Sequence, residues 1–302
     1  MNIKIVGRTI GRVILMECLF MLPALIWCLI DREYDVLGAY GLTILIMLAT
    51  AGLLLLTGRG ARETFFAQEG FVTVALCWVA ISVMGCLPFY LSGQIPHFID
   101  ALFESISGFT TTGASILPDV EALSRGLLYW RSFTHWLGGM GILVFMLAIV
   151  PLSGGQSIHL LRAESPGPSV AKIVPKMRSS AGILYLIYLG LTILQVLFYL
   201  FGRMPLFDAL CHAFATAGTG GFGIYASSLG HYSAYLQGVT TVFMILFGMN
   251  FNFYFFLIMR KFGLAFKNSE IRCYLGIIAL SVVVISWNVA SLFPSVFEAF
   301  HH

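Results

Sequence analysis

Between two long apolar stretches runs Ser107-Gly108-Phe109-Thr110-Thr111-Thr112-Gly113-Ala114-Ser115, a segment of hydroxyls and glycines. Glycine and threonine are weak helix formers, and hydrocarbon tolerates non-helical backbone only where protein buries it or where it lines water. The chemistry open to such a segment is coordination: carbonyl and hydroxyl oxygens set in line can replace the hydration shell of a cation. A second Gly-rich segment, Thr216-Ala217-Gly218-Thr219-Gly220-Gly221-Phe222, follows in a similar setting. Thr110, Thr111, Thr112 and Gly113 form one candidate ligand group, and Gly218, Thr219, Gly220 and Gly221 the other. Covalent chemistry has much weaker support. His97, Asp100, Glu104 and His135 lack the helix spacing of a His-Glu-x-x-His zinc site, and Ser153-Gly154-Gly155 lacks the flanks of a serine nucleophile. No enzymatic activity and no cofactor are expected.

The elements that must hold these segments are membrane helices. Hydrophobic residues make up 59% of the chain and charged ones 10%, with a mean hydropathy of +0.90, far from a soluble domain. Runs near 13–30, 36–56, 71–92, 126–151, 181–202, 234–259 and 273–293 are long enough to span. The shorter runs 98–109 and 206–217 suit half-membrane pore helices. The expected fold is an all-α integral membrane protein of about seven transmembrane helices with two re-entrant pore-helix loops, in intimate contact with the lipid bilayer. The first run leads into the next without a clear small-residue cleavage site, so it is read as a span.

Charge asymmetry orients the chain. With the N-terminus in the cytoplasm, Lys4, Arg8, Arg12, Arg59, Arg62, Arg162, Lys172, Lys176, Arg178, Arg260, Lys261, Lys267 and Arg272 fall inside, and only Arg32, Arg125, Arg131 and Arg203 outside. The net charge of +3 follows from these loops and calls for no nucleic-acid partner. Asp31, Glu33, Asp35, Asp100, Glu104, Asp119, Glu121, Asp208 and Glu298 lie on outward segments, either solvated or raising the local cation concentration. The six cysteines show no metal-ligand spacing and read as small buried hydrophobes.

The chain repeats itself. Ile99-Asp100-Ala101-Leu102-Phe103-Glu104-Ser105-Ile106-Ser107 aligns without gaps on Phe207-Asp208-Ala209-Leu210-Cys211-His212-Ala213-Phe214-Ala215. Asp100 and Asp208 are expected as N-caps of two matching pore helices. Descending from the outside, each helix would aim its C-terminal carbonyls, roughly half a negative charge, at a dehydrated cation. Either Gly220 or Gly221 can align with Gly113. The expected divisions are 1–66, an N-terminal helix pair; 67–178, a first repeat with a basic cytoplasmic loop; 179–268, a second repeat; and 269–302, the first helix of an incomplete third.

The segment 107–114, with His135-Trp136-Leu137-Gly138-Gly139-Met140-Gly141-Ile142, Arg162-Ala163-Glu164-Ser165-Pro166-Gly167-Pro168 and Gly220-Gly221-Phe222, resembles the Trk/Ktr/HKT superfamily of potassium transporters, closest to its bacterial Trk branch. The resemblance implies a bacterial inner-membrane potassium-uptake subunit with four pore repeats around one filter. It also implies potassium as the transported ion, a homodimer, and cytoplasmic nucleotide-binding regulatory subunits. Set against that pattern, the chain looks truncated in a third repeat, which leaves a non-conducting fragment or an assembly partner for a second chain as the alternative.

Other residues admit two readings. Gly138, Gly139 and Gly141 serve close helix packing or a gating hinge. His135 could donate to a pore-loop carbonyl, and Trp136 reads as an interfacial anchor. Asn250 and Asn252 either line a cytoplasmic vestibule or hydrogen-bond a neighbouring helix. Glu17 would pair with Arg12 or Lys4, or face a partner. The basic loop with Pro166, Pro168 and Pro175 either contacts a regulatory subunit or simply enforces topology.

Overall fold

Eleven α-helices order the described residues of a computed structural model, which are 2–60, 67–141 and 177–289. They are α1 Ile3–Ile30, α2 Tyr34–Thr57, α3 Ala67–Leu91, α4 Phe98–Phe109, α5 Arg125–Gly139, α6 Met177–Phe201, α7 Leu206–Ala217, α8 Ala234–Gly248, α9 Asn252–Ile258, α10 Phe262–Lys267 and α11 Ser269–Val289. Five helices are long and apolar enough to cross a membrane, and α8 with α9 makes a sixth candidate if the broken pair is one span. The seventh expected span, 126–151, begins in α5, and its remainder lies outside the described residues. So do the basic loop with Pro166, Pro168 and Pro175, the Arg162–Pro168 motif, Ser153-Gly154-Gly155 and residues 296–302.

Two compact units divide the chain, residues 1–247 and 248–302. In the first, α1 packs on α2, α3 and α5, α4 sits between α3 and α5, and α7 lies against α5 and α6. The spans keep apolar side chains on their outer faces, with Leu19, Ile26, Leu45, Leu53, Phe71 and Leu186 all exposed. That is the arrangement expected where lipid, not water, is the solvent. Inside, Tyr199, Met204, Ala209, Ala213 and Leu236 close a core between α6, α7 and α8. Tyr199 Oη meets Thr240 Oγ1 at 2.7 Å and accepts from Gln195 Nε2 at 2.7 Å, so this polar group on a span is satisfied by its neighbours.

The N-terminal pair α1–α2 is keyed to the first repeat at its tip. Glu33, in the turn between them, accepts from the Arg125 and Gly126 amides at 2.8 and 3.1 Å, placing a carboxylate on the N-terminus of α5. Ser124 at that N-cap position makes no side-chain cap bond of its own, so Glu33 supplies the charge that the helix end favours. Arg125 pairs with Asp31 at 3.1 Å and lies over the Phe207 and Trp27 rings at 4.2 and 5.1 Å. Asp31 and Glu33 are therefore engaged by protein rather than merely solvated.

In the second unit Phe253, Ala265 and Ile271 pack together. Asn250 Nδ2 donates to Glu270 at 2.9 Å, and Asn250 Oδ1 accepts the Asn252 amide at 3.0 Å. Of the two readings for the Asn pair, the neighbouring-helix bond is what the geometry gives for Asn250. Its side-chain oxygen also starts α9, the ordinary local competition of Asn with helical backbone.

Candidate ion-coordinating site

The two pore helices are copies in residue count and register. α4 and α7 are each 12 residues long, and each start and end is separated by 108 positions. The loops that follow match bond for bond. Thr110 N donates to Ile106 O at 2.8 Å, Thr111 N to Gly108 O at 3.0 Å and Thr112 N to Ser107 O at 2.9 Å. In the second loop Gly218 N donates to Phe214 O at 3.0 Å, Thr219 N to Thr216 O at 2.9 Å and Gly220 N to Ala215 O at 3.1 Å. Thr111 and Thr219 have φ of 55° and 53°, and Gly113 and Gly221 of 73° and 87°. The open choice of register is thereby decided: Gly221 is the counterpart of Gly113.

These left-handed threonines are informative. A β-branched residue at positive φ is strained and persists only where surrounding bonds over-determine it. The inward donation of three successive amides does that here, and it turns the loop's carbonyls away from the helix. Among the described residues, no donor reaches the carbonyls of Thr111, Thr112 or Gly113, nor those of Thr219, Gly220 or Gly221. Thr110, Thr112, Thr219 and Gly221 are exposed, while Gly218 is buried. Thr110 Oγ1 donates to Ile106 O at 2.7 Å and meets Thr112 Oγ1 at 2.8 Å. Uncommitted oxygens on an open face are what cation coordination requires.

The loops touch each other. A Cβ on Gly113 would run into the Gly220 carbonyl oxygen, so only glycine fits. α5 threads between both pore-helix ends: Gly138 lies against the Phe109 carbonyl, and Gly139 against Tyr188 Oη, Gly218 Cα and Ala217 O. Both glycines thus pack closely against the pore-helix ends, with no room for a side chain. Gly141, with φ 74°, donates its amide to Gly138 O at 3.0 Å and ends the helix in the left-handed turn that favours glycine.

Several sequence expectations change. Asp100 and Asp208 are not N-caps. His97 and Pro205 hold those positions, and the aspartates sit three residues further in, where a carboxylate still favours the positive helix end without closing a cap bond. Asp208 instead accepts from Tyr232 Oη at 2.7 Å and Tyr225 Oη at 3.4 Å, fastening the limb that follows the second loop. Burial first, then the bond to Asp208, pushes the Tyr232 phenol well above its ordinary range. Burial and the Asp208 charge raise Tyr225 as well. Neither ring nitrogen of His135 makes a hydrogen bond of good geometry; its ring stacks on Phe222 at 4.0 Å and packs against Gly220. Trp136 is buried, donating to Thr192 Oγ1 at 3.0 Å rather than anchoring at an interface. Glu17 makes neither expected pair: it is fully buried, with Oε1 facing Gly85 and no hydrogen-bond partner on either oxygen.

Arg131 and Glu104, read from sequence as outward charges, form the largest surprise. Their side chains are 2% and 0% exposed and meet at 2.6 Å. Glu104 Oε1 also accepts from Ser115 Oγ at 2.9 Å, and Oε2 from the Ile116 amide at 3.1 Å. Arg131 Nη1 donates to Gly223 O at 2.9 Å, and its guanidinium lies 3.5 Å over the Phe222 ring. The usable signal was topological: Arg131 falls inside an apolar helix, where a charge needs a buried partner.

Helical spans built around a duplicated helix–pore loop–helix unit define a multi-pass membrane protein with a re-entrant oxygen-lined site. The TrkH family model, described as "Cation transport protein", matches residues 40–293, and the chain belongs to that family. The Trk system potassium uptake protein TrkH of Salmonella typhimurium is 36% identical over 291 residues, covering 94% of this chain and 59% of the relative. TrkG of Escherichia coli K12, also a Trk system potassium uptake protein, is 32% identical over 289 residues with the same coverages. The crystal structure of the potassium transporter TrkH from Vibrio parahaemolyticus superposes with a TM-score of 0.82 at 27% identity, over 100% of this chain and 62% of that one. The chain thus spans about three fifths of the length of these relatives.

Proposed function

We propose that the chain contributes two adjacent quarters of a potassium-selective filter in a Trk-type uptake pathway. The observation that carries this is the bond-for-bond repetition of the two loops, each ending in a run of carbonyls that accept nothing from the protein. Potassium sheds water at these oxygens, helped by the carbonyl ends of α4 and α7, and moves inward down the membrane potential, worth about 2.3 kcal/mol per charge per 100 mV. Potassium itself is the transported ligand; no cofactor and no covalent step enter. The choice of potassium is supported by the two relatives, both potassium uptake proteins.

In this reading the protein lies in a bacterial inner membrane with its N-terminus in the cytoplasm. It acts as a homodimer beside cytoplasmic nucleotide-binding regulatory subunits. The divisions 1–66, 67–178, 179–268 and 269–302 correspond to the helix pair and successive repeats. Further pore loops, from the same polypeptide or another, complete the ring.

Potassium-limited growth of a strain lacking its own uptake systems, expressing this chain with and without Gly113→Asp, tests the proposal. Rescue that the substitution abolishes supports it, whereas rescue untouched by the substitution refutes a filter at Gly113. Membrane-inserted protein without rescue favours a second reading, a non-conducting partner of another chain.

A further inference from the structure

We propose that the Arg131–Glu104 pair is a positioning clamp that fixes the separation of the two filter loops and so sets their ion preference. The proposal rests on the filter reading. Both carboxylate oxygens of Glu104 are engaged. Glu104 takes Arg131, Ser115 and Ile116, and thus holds the limb that leaves Gly113. Arg131 takes Gly223 and covers Phe222, and thus holds the limb that leaves Gly221. Phe222 in turn stacks on His135, whose ring supports Gly220. One ion pair therefore grips the limbs of both loops, through residues that follow their free carbonyls in sequence.

A buried ion pair adds little stability over apolar side chains of the same shape, because desolvation offsets the attraction, so burying this one calls for a role in position. Arginine also suits the task as lysine does not: its rigid fork donates to a carboxylate and a carbonyl at once while its flat face rests on an aromatic ring. The arrangement is not duplicated with the loops. His212 stands where repetition would put a second Glu104, with no hydrogen-bond partner on its Nε2. The first repeat thus carries a single clamp for both loops, and loosening it frees two segments far apart in sequence at once. A pair of loops whose carbonyls spread or close by a fraction of an ångström changes which cation replaces its hydration shell most cheaply.

The test combines hydrogen–deuterium exchange with ion titration of thermal stability, on the purified full chain in detergent. Arg131→Gln and Glu104→Gln are each expected to raise amide exchange about tenfold or more in both segments, 113–118 and 220–225. They should also shrink the difference between the potassium and sodium concentrations that half-stabilise the protein. Ser115→Ala is expected to loosen the first segment alone and Phe222→Leu the second alone, with the charge pair intact. These milder variants decide the matter if a charge variant fails to fold. Arg131→Lys should restore abundance but not ion preference. Exchange that rises in one segment only for the charge variants overturns the clamp, as do milder variants with wild-type exchange. Unchanged ion preference in folded Arg131→Gln overturns its role in specificity. A wild-type chain that potassium stabilises no better than sodium refutes the filter reading instead, and the exchange readout still judges the clamp.

Discussion

Gly113 and Gly221 close the two loops under different constraints. Each sits at positive φ, and Gly113 is also pressed against the carbonyl of Gly220. Gly113→Ala adds roughly 1–2 kcal/mol of backbone strain and drives a methyl group into that carbonyl. We expect the variant to insert normally yet lose potassium-dependent thermal stabilisation, read by melting in potassium against sodium. Gly221→Ala, with open space around its Cβ, should suffer the strain alone and lose less. Tyr232 offers a second prediction at this scale. Its phenol has a folded pKa raised above the unfolded value, so its contribution is fully present below about pH 10 and is lost as pH rises beyond it. Melting temperature should fall above pH 10 more steeply for the wild type than for Tyr232→Phe. Equal slopes would contradict the Asp208 anchor. Legibility at the residue scale was uneven. That Thr110–Gly113 and Gly218–Gly221 leave the helix as loops is readable because glycine and threonine are weak helix formers between apolar runs. Arg131, Glu104 and Asp208 were misjudged because a charge beside a loop says nothing of which way its side chain turns.

Elements were easier to read than caps. The repeated Asp-Ala-Leu segments predict two short helices, and α4 and α7 appear at that offset with identical lengths. Their true N-caps are His97 and Pro205, since a carboxylate three residues past the cap satisfies the helix end electrostatically and proline suits an extended entry to a helix. What sequence could not show is how α5 meets both pore-helix ends, because Gly138 and Gly139 signal close approach without naming the partner. The same holds for Glu33, which reaches across the chain to the amides of Arg125 and Gly126. Glu33→Gln keeps one acceptor but loses the charge at the helix end, a loss of about 0.3–1 kcal/mol. Glu33→Ala leaves both amides without that partner and should cost more. Denaturation in detergent should rank the wild type above Glu33→Gln and Glu33→Gln above Glu33→Ala. An Ala variant as stable as the wild type would show that the α1–α2 tip is not keyed to α5.

For the whole molecule, hydropathy and charge patterning carry far. Apolar runs predict the spans, and exposed leucines, isoleucines and phenylalanines cover their outer faces. The division into units 1–247 and 248–302 was not evident, since the break around Asn250 reads as an interruption inside one span. The chain belongs to the TrkH family and superposes on a potassium transporter, and the cation path is proposed on that basis. The central claim concerns where the ion sits, and it can be observed directly. Thallium mimics potassium and scatters anomalously, so crystals of the chain grown or soaked in thallium salts should show a peak within about 3 Å of the Thr111–Gly113 and Thr219–Gly221 carbonyl oxygens, weakened by competing potassium and absent from Gly113→Ala. Ordered loops with no anomalous density between them, or a peak that potassium does not displace, would contradict the account.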